Sequence, residues 1–263
     1  MHSQKIQYVN EPLADILSLA GRELVCLVGA GGKTSLLFAL AGELAQAGQR
    51  VLITTTTHII RPPGEVILEP DPAALAGKLS DRPIPGEAIV LAGEENPSAG
   101  GPKLSGLGAK VVDELWIRGA AEYILVEGDG AKRRPIKAPR PHEPVVPRQT
   151  TVIVGLIGLS ALGREADEET IFGFGEFQEI TGIEPGTPIR PEHVASLIAH
   201  PKGLFKSAPP EALRIVLLNQ AETEEARLAG LDIVSLLGRK RLQGRAVVGS
   251  IRDGLFEAFD LPG

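Results

Sequence analysis

Thiols, surplus positive charge and long apolar runs are all scarce in this chain, and each scarcity removes a class of explanation. One cysteine among 263 residues, Cys26, leaves no second thiol for a disulfide within the chain and none for a cysteine metal site. It lies in an apolar run, where a buried, reduced and inert side chain is expected rather than a nucleophile. Lysine and arginine number 27 against 33 acids, a formal net charge of −6, so nothing global points to nucleic acid or a membrane surface. No stretch approaches the ~18 consecutive apolar residues of a membrane span, and Met1-His2-Ser3-Gln4-Lys5 has no apolar signal core. A cytoplasmic protein is therefore expected. Internal repeats and low-complexity segments are missing as well. Glycine (31) and proline (21) are plentiful, which indicates many turns and several long loops. With 43% hydrophobic and 23% charged residues, the composition is that of a soluble globular protein able to bury a sizeable core.

Apolar strands alternate with helical spacing along the chain. Strands are expected at 24–28, 51–53, 66–68, 88–91, 123–126, 151–157, 214–218 and, last, 246–248. Helices are expected at 11–19, 36–45, 72–79, 107–117, 191–199 and 223–237. This order predicts an α/β fold in three layers: a mostly parallel sheet with helices on both faces, like that of P-loop NTPases. The reading is one domain over 1–263 with an irregular insertion at about 160–190. In such sheets ligands bind beyond the carboxyl ends of the strands, and polar residues do follow those ends here.

The most informative stretch is Gly29-Ala30-Gly31-Gly32-Lys33-Thr34-Ser35, between an apolar strand and a helix. Backbone N–H groups at such a turn cradle phosphate oxygens, Lys33 reaches the terminal phosphates, and the Thr34 hydroxyl can hold Mg²⁺. The dipole of the helix disfavours a lysine at its N-terminus, and an anionic ligand would remove that penalty. The usual G-x-x-x-x-G-K-[ST] would need glycine at position 27, which is Leu27. The shorter G-x-x-G-K-T-S present is closer to the loop of Mur-type ligases than to that of small GTPases.

Four further groups surround the loop in this reading. Tyr123-Ile124-Leu125-Val126-Glu127-Gly128-Asp129-Gly130 is a strand ending in carboxylates, and Glu127 or Asp129 is expected to bind Mg²⁺, directly or through water. The run Thr54-Thr55-Thr56-Thr57-His58 offers hydroxyls for metal or phosphate, or merely extends its strand to the sheet edge. Lys132, Arg133, Arg134, Lys137, Arg140 and Arg148 follow the carboxylates, stiffened by five prolines, and suit either phosphoryl transfer or docking of an anionic second substrate. After the strand at 214–218, Asn219 and Glu222 stand where GTPases carry N-K-x-D. Asn219 is expected to contact the base, with guanine and adenine both open.

Taken in order, V-G-A-G-G-K-T-S, V-L-I-T-T-T-T-H, L-V-E-G-D-G-A-K-R-R-P-I-K-A-P, H-E-P-V-V-P and L-L-N-Q-A-E resemble the selenium-dependent hydroxylase accessory family of YqeC type. The resemblance runs from about Leu24 to Gly249. It implies a P-loop nucleotide-binding protein associated with maturation of molybdenum hydroxylases that carry labile selenium. It further implies Mg²⁺ and ATP or GTP as cofactors, with a molybdenum hydroxylase or its anionic cofactor as a partner besides the nucleotide. By position, Lys33 and Thr34 become the phosphate and Mg²⁺ residues, Glu127, Asp129 and Lys132 the acidic-basic signature, and Asn219 the base contact. The chain departs from the family at Phe172-Gly173-Phe174-Gly175-Glu176-Phe177, where a His-Arg-Pro-type segment is expected. An Mg²⁺-dependent NTPase or NTP-using enzyme is the leading expectation. A nucleotide-gated accessory protein without turnover is the alternative, because no residue stands out as a general base.

Overall fold

The computed structural model describes residues 6–9, 11–61, 65–80, 86, 88–97 and 102–262. The opening residues 1–5, read above for a signal core, lie outside them.

The unit with the glycine-rich turn comes first. A short strand β1 (Ile6–Val9) and helix α1 (Leu13–Ile16) lead into β2 (Glu23–Gly29) and α2 (Lys33–Gln46). Helix α1 is shorter than the expected 11–19, because the chain turns at Ser18 into a left-handed conformation (φ 52°). Its free amides are satisfied from outside: Leu13 N and Ala14 N donate to the Glu43 carboxylate of α2, at 2.7 and 3.0 Å.

Next come β3 (Val51–Thr55), β4 (His58–Ile60), β5 (Val66–Leu68), α3 (Pro72–Ser80), β6 (Ile89–Ala92), β7 (Glu94–Asn96), β8 (Lys103–Ser105), α4 (Ala109–Ile117) and β9 (Tyr123–Glu127). Then follow β10 (Ile136–Lys137), β11 (Val152–Gly158), β12 (Ile171–Phe172), α5 (Phe174–Thr181) and α6 (Pro191–Ala199), the last with proline in its first turn. The chain closes with β13 (Leu213–Asn219), α7 (Glu224–Arg239), β14 (Gly244–Ser250) and β15 (Leu255–Leu261). Helix α7 is capped by Thr223, whose side chain accepts from Ala226 N at 3.2 Å.

Ten strands form one sheet in the order β1-β15-β14-β13-β11-β2-β9-β3-β6-β5. All pairs from β14 to β5 are parallel; only β14–β15 and β15–β1 are antiparallel. The central strands are buried on both faces, which is why they read as continuous apolar runs. Val25 and Leu27 pack with Leu36, Leu37, Leu40 and Leu44 of α2 on one side. Leu24, Cys26 and Val28 face the other side, in a cluster that holds Leu75 of α3, Val112 of α4, Val194 of α6 and Ile233 of α7. The architecture is therefore the expected three-layer α/β arrangement.

Several elements differ from the sequence reading. The strand at 246–248 is not the last, because the chain turns at Gly254 and returns antiparallel as β15. Strands β4, β8 and β7 form a separate three-stranded antiparallel sheet. The segment 160–190 carries β12 and α5, and it sends Phe177, Ile183 and Ile189 into the main apolar cluster. Among the described residues no helix is long and apolar enough to cross a membrane.

Candidate functional site

Strands β2 and β9 lie side by side and parallel, with Leu27 level with Glu127. That register brings the glycine-rich turn at the end of β2 against the carboxylates at the end of β9. The turn is pinned from the other neighbour, β11: Ala30 N donates to Leu156 O at 2.9 Å. Glycine is needed there for space as well as conformation. Gly31 has φ +83°, and a Cβ on it would lie 2.2 Å from Gly158 N; Gly29 has φ +87°, and its Cβ would lie 2.4 Å from Leu156 O.

Lys33 begins α2 and is buried, while Thr34 and Ser35 are exposed at the mouth. The Lys33 ammonium donates to Gly29 O, lies 3.1 Å from Asp129 Oδ1 and 3.9 Å from Glu127 Oε1. The Thr34 hydroxyl donates to Glu127 Oε2 at 3.0 Å. Asp129 Oδ2 accepts from Gly29 N at 3.2 Å; its Oδ1 makes no hydrogen bond, so its contact with Lys33 is a charge pair. The structure thus gathers Gly29, Ala30, Gly31, Gly32, Lys33, Thr34, Glu127 and Asp129 at one place.

Lys137 extends this cluster. Sequence reasoning grouped it with the cations that would meet a transferred phosphoryl group or an anionic second substrate, yet its side chain is fully buried. It lies 2.9 Å from Glu143 Oε1 and 3.4 Å from Asp129 Oδ2, and donates to Gly130 O at 2.6 Å. Two lysines therefore share their surroundings with three carboxylates, a formal excess of one negative charge. Burial pushes the Glu127 carboxyl above its ordinary value of 4.5; Lys33 and the Thr34 hydroxyl pull it back, and Asp129 raises it further. Burial likewise raises the Cys26 thiol, with the Asp129 charge adding to the effect.

Asn219, at the end of β13, is used by the loop itself. Its Nδ2 donates to Gly31 O at 2.7 Å and its Oδ1 accepts from Ile251 N at 3.0 Å. Among the described residues the second N–H of the amide has no hydrogen-bond partner. Glu222 is exposed and accepts from Ser250 Oγ at 3.0 Å. The threonine run is also engaged with backbone: Thr54 donates to Leu91 O, Thr55 to Glu127 O and Thr56 to Val145 O, at 3.0, 2.8 and 2.8 Å. These bonds tie β3 to β6, β9 and the proline-rich turn. His58 is exposed in the separate antiparallel sheet. Lys132 and Arg133 are exposed and both left-handed, with φ 48° and 62°.

A cavity of about 290 Å³ opens farther along the turn, lined in part by Pro139, Pro141, Ile180 and Lys206; it includes no residue of the glycine-rich loop. Nothing in the sequence singled out Lys137 or Glu143 as a buried pair. Their only signal was an acid six residues from a lysine in a turn too irregular for spacing to imply contact.

The fit to a metal can be judged from the donors. Among the described residues no three or more His, Cys, Asp or Glu side chains converge as a self-sufficient metal site. The donors present are a hydroxyl and carboxylates, all oxygen, in a cluster with negative charge to spare. That set suits Mg²⁺, which keeps several waters and takes few protein ligands when phosphates supply the rest.

Residues 25–174 match the family model described as YqeC protein. A relative from Escherichia coli (strain K12), described as uncharacterized protein YqeC, is 32% identical over 232 residues, covering 86% of this chain and 88% of its own length. No solved structure matches the chain.

Proposed function

The chain belongs to the YqeC family, and from that premise we propose that it binds a Mg²⁺-nucleoside triphosphate, ATP or GTP. On this reading it acts in the cytoplasm as an NTPase or NTP-using enzyme in maturation of selenium-dependent molybdenum hydroxylases. The observation that carries the nucleotide reading is the junction of two parallel strand ends. Lys33 lies between Glu127 and Asp129, and the Thr34 hydroxyl stands 3.0 Å from Glu127.

The chemistry follows from those positions. Backbone amides of Gly31, Gly32 and Lys33, at the positive end of α2, are the groups to receive phosphate oxygens. The Lys33 ammonium exchanges its hold on Gly29 O and Asp129 for the terminal phosphates. Thr34 and Glu127, with Asp129 behind them, would hold Mg²⁺, which when bound neutralises charge on the phosphate oxygens. Asn219 fixes the Gly31 carbonyl by bonding it from β13.

Titration calorimetry with ATP, GTP and CTP in the presence of Mg²⁺ tests the reading. One of them should bind well below the millimolar range, and Lys33→Ala should abolish that binding. Binding by none would defeat the proposal. Tight binding with negligible steady-state hydrolysis would instead assign the chain as a nucleotide-gated accessory protein.

A further inference from the structure

Phe172, in β12, is ringed by positive charge. Arg140 Cζ lies 4.7 Å from the centroid of its ring, Lys137 Nζ 4.8 Å, and Lys132 Nζ and Arg134 Cζ each 5.9 Å. Lys137 is neutralised internally by Asp129 and Glu143. The other three are different. Among the described residues no carboxylate forms an ion pair with Lys132, Arg134 or Arg140; the Arg134 guanidinium donates to the Glu168 carbonyl, not to a carboxylate. An aromatic ring attracts cations to its two faces through its quadrupole, but it does not offset the mutual repulsion of several cations gathered on it.

We propose that Lys132, Arg134 and Arg140, assembled on the Phe172 ring, form a second oxyanion site, separate from the glycine-rich loop, that takes the phosphate group of a phosphorylated small-molecule co-substrate. Three unpaired cations suit a multiply charged phosphate better than a single carboxylate, and two planar guanidinium groups can bond it bidentately. The backbone supports a built site. Lys132 and Arg133 are consecutive non-glycine residues held at φ 48° and 62°, a conformation that costs energy and that tends to gather at ligand sites. Ordinary solvated cations on a flexible turn have no need of it.

The location links this site to the first. Gly158 N donates to Pro135 O at 2.8 Å, and the same Gly158 N is the atom that a Cβ on Gly31 would strike. The cationic turn is thus packed against the residue that backs the glycine-rich loop. Lys137 gives a second connection, reaching from beneath the Phe172 ring to Asp129, which holds Lys33. A phosphorylated molecule held by Lys132, Arg134 and Arg140 therefore lies beside a triphosphate held by Lys33. The word co-substrate rests on the nucleotide reading above; the anion site itself does not.

Inorganic pyrophosphate titrated into the full chain by calorimetry, without nucleotide, is the test. Two binding events are expected. Lys33→Ala should remove one, and Lys132→Ala with Arg140→Ala should weaken the other at least tenfold, with the melting midpoint checked for each variant. Should Lys33→Ala fail to fold, the glycine-rich loop is instead filled with a non-hydrolysable triphosphate, and one pyrophosphate event should remain. Loss of all pyrophosphate binding in Lys33→Ala, or full binding in Lys132→Ala/Arg140→Ala, overturns the proposal. Failure of every nucleotide to bind, with pyrophosphate still lost in the double variant, would remove the nucleotide reading and leave this site standing.

Discussion

Replacing Lys137 with methionine tests whether the buried charges act as one connected cluster. The ammonium is fully buried, 2.9 Å from Glu143 and 3.4 Å from Asp129, and it donates to the Gly130 carbonyl. Methionine fills most of the space of the stem but leaves two carboxylates without their shared counter-ion. Asp129 retains Lys33, whereas Glu143 retains nothing of opposite charge among the described residues. Removing one partner of a buried ion pair costs about 3–5 kcal/mol, because the remaining charge stays desolvated and uncompensated. That is a large share of the roughly 5–15 kcal/mol that holds a protein folded. At about 2–4 °C per kcal/mol for a chain approaching this size, the melting midpoint should fall by about 6–20 °C. Calorimetric or circular-dichroism melts of the ligand-free protein measure it directly. Adding Glu143→Gln to Lys137→Met removes the stranded charge and should recover part of the loss, while Glu143→Gln alone strands only a lysine that still has Asp129. A fall of less than about 2 °C in Lys137→Met would refute the reasoning, since an isolated surface lysine would behave that way.

Other consequences follow from single contacts. Gly31→Ala and Gly48→Ala place the same methyl at the same φ of +83°, but only at Gly31 would it strike backbone, 2.2 Å from Gly158 N. Gly48→Ala should therefore cost about 1–2 kcal/mol in a urea melt, and Gly31→Ala clearly more, with loss of nucleotide binding. Asn219→Ala frees Gly31 O and Ile251 N, so affinity for ATP, GTP and tripolyphosphate should fall together; a change confined to one purine would show base reading instead. The buried Cys26 thiol should resist Ellman's reagent until the protein unfolds. Its folded ionisation is raised above the ordinary value of 9.0, so its contribution to stability is complete below that pH and is lost as pH rises beyond it. Cys26→Ala should flatten this alkaline decline in denaturant melts, and an unchanged slope would count against the assignment.

Much of the fold was legible because the central strands are buried on both faces. Leu24–Val28, Tyr123–Val126 and Thr151–Ile157 read as unbroken apolar runs, and the parallel sheet follows from their alternation with helices. The strand β15 was missed for the opposite reason. Leu255-Phe256-Glu257-Ala258-Phe259-Asp260-Leu261 is broken by two acids, and Glu257 is buried where Arg227 of α7 pairs with it. Helix α1 was overestimated because its apolar spacing continues past Ser18, where the backbone turns left-handed.

The sequence by itself determined the glycine-rich turn, its lysine and threonine, and the carboxylates that end another apolar strand. Those signals are local, set by spacing along one strand, turn or helix. Only the tertiary structure decided that Glu127 meets Thr34, that Lys137 is buried between Asp129 and Glu143, and that Asn219 braces the Gly31 carbonyl. It also decided that Lys132, Arg134 and Arg140 converge on Phe172. These contacts join residues far apart in the chain, or residues in an irregular turn. Their distances are fixed by strand order and register, which no local pattern carries.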